Sequence, residues 1–152
     1  MRAIPELDNL THYPSWLLVG RVHVKCQHLL NSGFGELGLS TAKYEVLHAI
    51  FRDEGLSQQR LARRLLVAKS NVTVLCQRLE ADGLIRRERD PDDGRGHCVF
   101  LTDTGRHIVE QAVHLHADVV ELMAEGLSSQ QAKVLDEIMS RAEENLDIAL
   151  AR

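Results

Sequence analysis

Between Ser57 and Thr102 the chain switches from one backbone period to another with almost no linker, and this limits its fold more than any other feature. From Ser57 to Gly83 apolar residues recur every three or four positions, as on a helix, whereas Leu84 to Arg89 and His97 to Leu101 read as strands. Asp90-Pro91-Asp92-Asp93-Gly94, a run of turn formers, joins the two strands. The helical part is itself two pieces. Ser57 opens a short helix as its N-cap, with Leu61 and Leu65 on an apolar edge and Arg60, Arg63 and Arg64 on the other side. A turn through Leu66, Val67 and Ala68 leads into a second helix that stops at Gly83. Two short helices on a tight turn, followed at once by a β-hairpin, make a winged helix-turn-helix.

The remaining segments give a mainly α chain with a small β-hairpin wing, in the order α-α-α-α-β-β-α-α. Val19, Val22, Cys26, Leu29 and Leu30 predict a first long helix over about 15–32, ending near Gly33. Ser40 or Thr41 caps a second, carrying Tyr44, Leu47, His48 and Phe51, that stops near Gly55. Thr102 caps a long helix to about Glu125, and Ser128 with Gln131 forms a capping box for a last helix to about Leu150. At 152 residues the chain is expected to be a single domain, 1–152, with a DNA-binding lobe over 41–101 divided into helix-turn-helix (57–83) and wing (84–101).

Charge is distributed in keeping with that division. Ser57 to Arg89 holds eight Lys or Arg (Arg60, Arg63, Arg64, Lys69, Arg78, Arg86, Arg87, Arg89) against Glu80, Asp82 and Glu88, inside a chain of net charge −4. A basic segment in an acidic protein points to one surface built for a polyanion. At 100° per residue the second helix of the motif turns Val72, Leu75, Cys76 and Leu79 inward and Ser70, Asn71, Thr73, Val74, Gln77 and Arg78 outward. No acid lies on the outward side. Hydroxyls, amides and a guanidinium are the groups that meet base edges and phosphates. Asn71, Gln77 and Arg78 are assigned to bases, and Lys69, Ser70 and Thr73 mainly to phosphates. Arg95, between Gly94 and Gly96 at the hairpin tip, is shaped to enter a minor groove. The aspartates beside it would repel phosphate, which suggests that only the tip approaches DNA and that an aspartate pairs with an arginine at the wing's base.

Met1 to Pro14 carries acids and prolines where a secretory leader would have a basic region and an apolar run, and no segment approaches membrane-spanning length, so a cytoplasmic protein is expected. Cys26, Cys76 and Cys98 are odd in number and form no CxxC pair, which favours free thiols over a disulfide framework.

The stretches Ser70-Asn71-Val72-Thr73, Arg78-Leu79-Glu80-Ala81-Asp82-Gly83-Leu84-Ile85-Arg86-Arg87, Asp90-Pro91-Asp92-Asp93-Gly94-Arg95 and Leu101-Thr102-Asp103-Thr104-Gly105 resemble, in order and spacing, the signature of the MarR family of bacterial transcriptional regulators. Two positions depart from it. Gly94 stands where the family more often has a second basic residue, and Val74 where it often has Arg. The resemblance implies a homodimer in which the first and last helices (15–32 and 102–150) intertwine. The apolar stripe Leu135, Ile138, Met139, Ala142, Leu146 and Ala149 on the last helix independently asks for such a cover. Two-fold symmetry then implies a pseudo-palindromic operator in double-stranded DNA, with recognition helices about 34 Å apart.

The resemblance further implies a repressor relieved by a small aromatic or anionic effector. Trp16, Arg21, Tyr44 and His48 could line its cavity; core and interface roles are the competing reading of the same residues. Cys26 could serve as a redox switch, although the family's peroxide-sensing branch carries its cysteine nearer the helix start, about where Trp16 lies. His23 with Cys26, or His107 with His114, could join His28 or His116 around zinc, but no compact HxxxH supports a metal, and no cofactor is expected. Two alternatives from other classes stay open: a winged-helix interaction module docking an acidic partner through Arg60 to Arg64, and a metal hydrolase, which lacks any nucleophile elbow, phosphate loop or HExxH.

Overall fold

A computed structural model describes residues 6–89 and 96–151 of the chain. After a short 3-10 turn at Leu7–Asn9, its elements are α1 (Tyr13–Glu36), α2 (Thr41–Arg52), β1 (Leu56–Ser57), α3 (Gln58–Arg64), α4 (Lys69–Ala81), β2 (Ile85–Arg89), β3 (His97–Leu101), α5 (Asp103–Ala124) and α6 (Ser129–Leu150). The chain divides after Val119 into two compact units.

The first unit holds the core. Phe34 of α1, Val46, Leu47 and Ile50 of α2, Leu61 of α3, Val72 and Leu79 of α4, Ile85 and Val99 of the sheet, and Val109 of α5 are all buried. Each comes from the apolar side of its element, so the helical and strand periods of the sequence converge on one interior. β2 and β3 pair antiparallel with Ile85 opposite Leu101 and Arg89 opposite His97. A third strand extends the expected hairpin: β1, only two residues long, pairs with β3, with Leu56 opposite Val99 and Ser57 opposite Cys98.

Helix α1 is longer than the sequence suggests. Gly33 does not end it; a Cβ there would lie 3.2 Å from Leu115 Cδ1, so this glycine allows α1 and α5 to approach. The stop comes at Gly38, whose φ of +70° suits a residue without a Cβ. The apolar residues of α1 divide into two groups. Leu30 and Phe34 are buried, but Val19, Val22 and Leu29 are exposed in the single chain.

The second unit, from Val120, contains the end of α5 and all of α6. Ser128 Oγ accepts from Gln131 N and the Gln131 side chain accepts from Ser128 N, the capping box expected from sequence. Leu135, Ile138, Met139 and Leu146 of the expected stripe are exposed, together with Val134, Ile148 and Leu150. Among the described residues no helix is long and apolar enough to cross a membrane.

Candidate nucleic-acid interface

Helix α3 begins where Ser57 Oγ accepts from Arg60 N at 3.3 Å. It ends at Leu65, and the turn into α4 passes through Leu66, which has a φ of +53° and is 87 % exposed. Few residues other than glycine adopt that conformation, because Cβ then crowds the next carbonyl. The N-cap of α4, Ala68, has no side-chain acceptor, so the N–H groups of Lys69 and Ser70 receive no cap.

Val72, Cys76 and Leu79 anchor the inner side of α4. Burial pushes the Cys76 thiol up to about 11, which keeps it protonated and makes it a small apolar filler rather than a reactive group. Lys69, Ser70, Asn71, Val74, Gln77 and Arg78 are exposed. Thr73 differs from them. It is half-buried, and its hydroxyl lies 3.0 Å from the Lys69 carbonyl and 3.2 Å from the Gln58 amide oxygen. One hydroxyl proton cannot serve both oxygens, and Gln58 Nε2 is buried without a partner among the described residues. Exchanging the two ends of the amide removes the competition for that proton: Nε2 then donates to Thr73 Oγ1, which donates to the Lys69 carbonyl, and the buried end becomes a carbonyl oxygen in place of an N–H donor. Gln58, which sequence reading passed over, thereby ties α3 to α4.

The wing is tied to the same helix. Arg87 Nε of β2 donates to Glu80 Oε2 of α4 at 2.7 Å, and this bond holds the Glu80 carboxyl below its ordinary value of 4.5. Arg86 lies over the Phe100 ring, 4.5 Å from its centroid, and pairs with Glu88. At the wing's base Thr102 Oγ1 donates to the Gly83 carbonyl at 2.7 Å and accepts from Gly105 N at 3.0 Å. Arg95, with Gly94 and the aspartates Asp90, Asp92 and Asp93 assigned to the tip, lies outside the described residues.

These pairings reduce the basic segment to fewer available charges. Arg60 and Arg64 share Asp53 at 3.8 and 3.6 Å, and Arg86 and Arg87 have glutamate partners. Arg63, Lys69, Arg78 and Arg89 are exposed and pair with no described residue. Lys69 and Arg78 lie at the two ends of the outward side of α4. Exposed amides and a hydroxyl stand between them, an arrangement suited to a polyanion with readable edges.

The four residues considered for an effector cavity fall in two places. Trp16, 66 % exposed, and Arg21 line an open groove of about 450 Å³ with Leu17, Gly20, Val24 and Lys25, all from α1. Tyr44 and His48 stack on α2 with ring centroids 5.4 Å apart, and the Tyr44 hydroxyl lies 2.7 Å from His116 Nδ1 of α5. Burial pushes the Tyr44 phenol up to about 12 and lowers His48, which His116 and Arg52 lower further. His48 also borders a cavity of about 340 Å³ with Glu45, Ala49, Arg52, Arg64 and Leu65. Among the described residues no three His, Cys, Asp or Glu side chains converge to hold a metal.

The model of the MarR family matches residues 37–96. The transcriptional repressor YetL of Bacillus subtilis is 28 % identical over 126 residues, 82 % of this chain and 75 % of that protein. The transcriptional activatory protein BadR of Rhodopseudomonas palustris is 40 % identical over 76 residues, 48 % of this chain and 43 % of that protein. Among solved structures, a cysteine-to-serine variant of MarR from E. coli complexed with operator DNA superposes with a TM-score of 0.76 at 27 % identity, covering 85 % of this chain and 93 % of that one.

Proposed function

This chain belongs to the MarR family of transcriptional regulators, and on that premise we propose that it binds duplex operator DNA as a homodimer and represses transcription until a small ligand releases it. The observation that carries the proposal is the outward side of α4: Lys69, Ser70, Asn71, Gln77 and Arg78 are exposed there with no acid among them. In the ~12 Å major groove Asn71, Gln77 and Arg78 meet base edges, while Lys69 and Ser70 hold phosphate. Arg95 reaches the minor groove from the wing. The lobe over 41–101 is the reading head, and the helices over 15–32 and 102–150 bring two copies together through the apolar residues that a single chain leaves exposed.

The docking of an acidic protein on Arg60 to Arg64 has less support, since Arg60 and Arg64 share the Asp53 carboxylate and only Arg63 of the three is without a described partner. For the effector, the cavity beside His48 holds Arg52 of α2, which pairs with no described carboxylate, next to Glu45 and an Arg64 already shared with Asp53, so Arg52 is the cation that would meet a small anionic aromatic.

Gel shifts across a salt series test the DNA reading. Gln77→Ala changes sequence preference, while Arg78→Ala and Arg95→Ala weaken binding with the dimer intact by sizing chromatography. Wild-type behaviour in all three variants at every salt concentration would overturn it. Benzoate is the probe for the effector: it raises the melting temperature of the wild type but not of Arg52→Ala, and equal shifts in both would remove that cavity from consideration.

A further inference from the structure

Resting on the DNA-binding reading above, we propose that Val74 reads the 5-methyl group of thymine and so sets an A·T base pair at the middle of each half-site. Val74 is 44 % exposed on the outward side of α4. Its helical neighbours at three and four residues' distance are Ser70, Asn71, Gln77 and Arg78, all exposed and all able to hydrogen-bond. Val74 is the exception within this face. It can neither hold a phosphate nor pair with a donor or acceptor on a base edge.

The major groove displays one apolar feature, the thymine methyl, and only an apolar side chain gains by covering it. Valine suits this task because its branched Cβ restricts χ1, so little side-chain freedom is lost when the contact forms. Its placement fixes which base pair is read. Asn71, Val74 and Gln77 succeed one another at intervals of about 4.5 Å along the helix, between one and two times the ~3.4 Å rise of a base pair, so they meet the groove in that order. The base pair met by Val74 therefore lies between those met by the two amides, whose geometry matches adenine N6 and N7.

The experiment begins with selection of bound sites from a randomised 30-base-pair duplex pool by the full-length protein. Each thymine of the selected site is then replaced singly by deoxyuridine, which removes the methyl and leaves every hydrogen bond intact. Affinities are measured with the wild type and with Val74→Ala, whose unchanged circular dichroism and melting temperature are confirmed first. At one thymine per half-site, deoxyuridine weakens wild-type binding about fourfold, the worth of one buried methyl, and leaves Val74→Ala binding unchanged. If a site is selected but every thymine-to-deoxyuridine change acts equally on both proteins, the role of Val74 is overturned while DNA reading stands. If no sequence is enriched over the starting pool, DNA reading fails and the role of Val74 with it.

Discussion

Gly105, in the first turn of α5, lies against Leu84 at the start of the wing so closely that a Cβ on Gly105 would sit 1.8 Å from the Leu84 carbonyl oxygen. The same oxygen accepts from Thr102 N at 3.0 Å, so it has no room to retreat without giving up a hydrogen bond. Gly105→Ala must therefore displace backbone rather than a flexible side chain. Urea denaturation is expected to show a loss of about 3 kcal/mol or more, at the upper end of overpacking effects.

Thr102 connects the same two segments through its side chain. Thr102→Val keeps the volume and removes the hydroxyl, which leaves the Gly83 carbonyl and Gly105 N without their partner. The expected cost is about 1–2 kcal/mol, typical of a lost helix cap, measured by the same denaturation. A Thr102→Ser variant should recover most of it.

The Arg87 to Glu80 contact makes the attachment of the wing sensitive to acid. The folded-state value of Glu80 lies below the ordinary 4.5, so the unfolded chain binds its proton more tightly. The stabilisation is thus complete above about pH 4.5 and is lost as pH falls through the lower, folded-state value. Glu80→Gln should lower stability at pH 7 by about 0.5–1 kcal/mol, as befits a partly exposed pair, and thermal melts of the two proteins should converge as pH falls through the folded-state value.

Leu66 carries a backbone cost that its side chain does not offset, since it is 87 % exposed at a φ of +53°. Replacing it with glycine removes the crowding of Cβ, worth about 1–2 kcal/mol, and adds about 0.5–1 kcal/mol of unfolded-chain freedom. Leu66→Gly is accordingly expected to raise stability by about 0.5–1 kcal/mol. Calorimetry would show a higher melting temperature.

Lys69 tests the division between phosphate and base contacts within the proposed DNA face. Lys69→Ala should weaken binding to all duplexes by a similar factor and reduce the slope of log affinity against log salt by about 1 per half-site. Unequal effects on selected and random sequences would assign Lys69 to base reading.

Much of the candidate interface was legible in the sequence because its signals are periodic. Val72, Cys76 and Leu79 can be assigned inward from spacing alone, and the structure buries all three. Features that depend on distance between elements were not. β1 has two residues, too few to show an alternation, and it exists only because β3 offers Leu56 and Ser57 a free edge. Gly33 reads as a helix end in sequence because a glycine required for close packing and one required for a positive φ look alike there. Only the position of Leu115 distinguishes them. Trp16 and Arg21 were grouped with Tyr44 and His48 by chemistry, but chemistry does not report which sides α1 and α2 turn toward each other. Glu80 and Arg87 offered a weak signal, opposite charges on either side of a helix end, that spacing could have found.

The short strand β1 has a mechanical consequence. Ser57 is at once a partner of Cys98 in the sheet and the N-cap of α3, so the return leg of the wing and the first turn of the helix-turn-helix are joined through one residue. A tilt of the hairpin is transmitted there as a change in the direction in which α3 sets out. Hairpin and helices therefore meet a rigid partner as a single stamp, and little freedom remains to be lost when both are pressed against it.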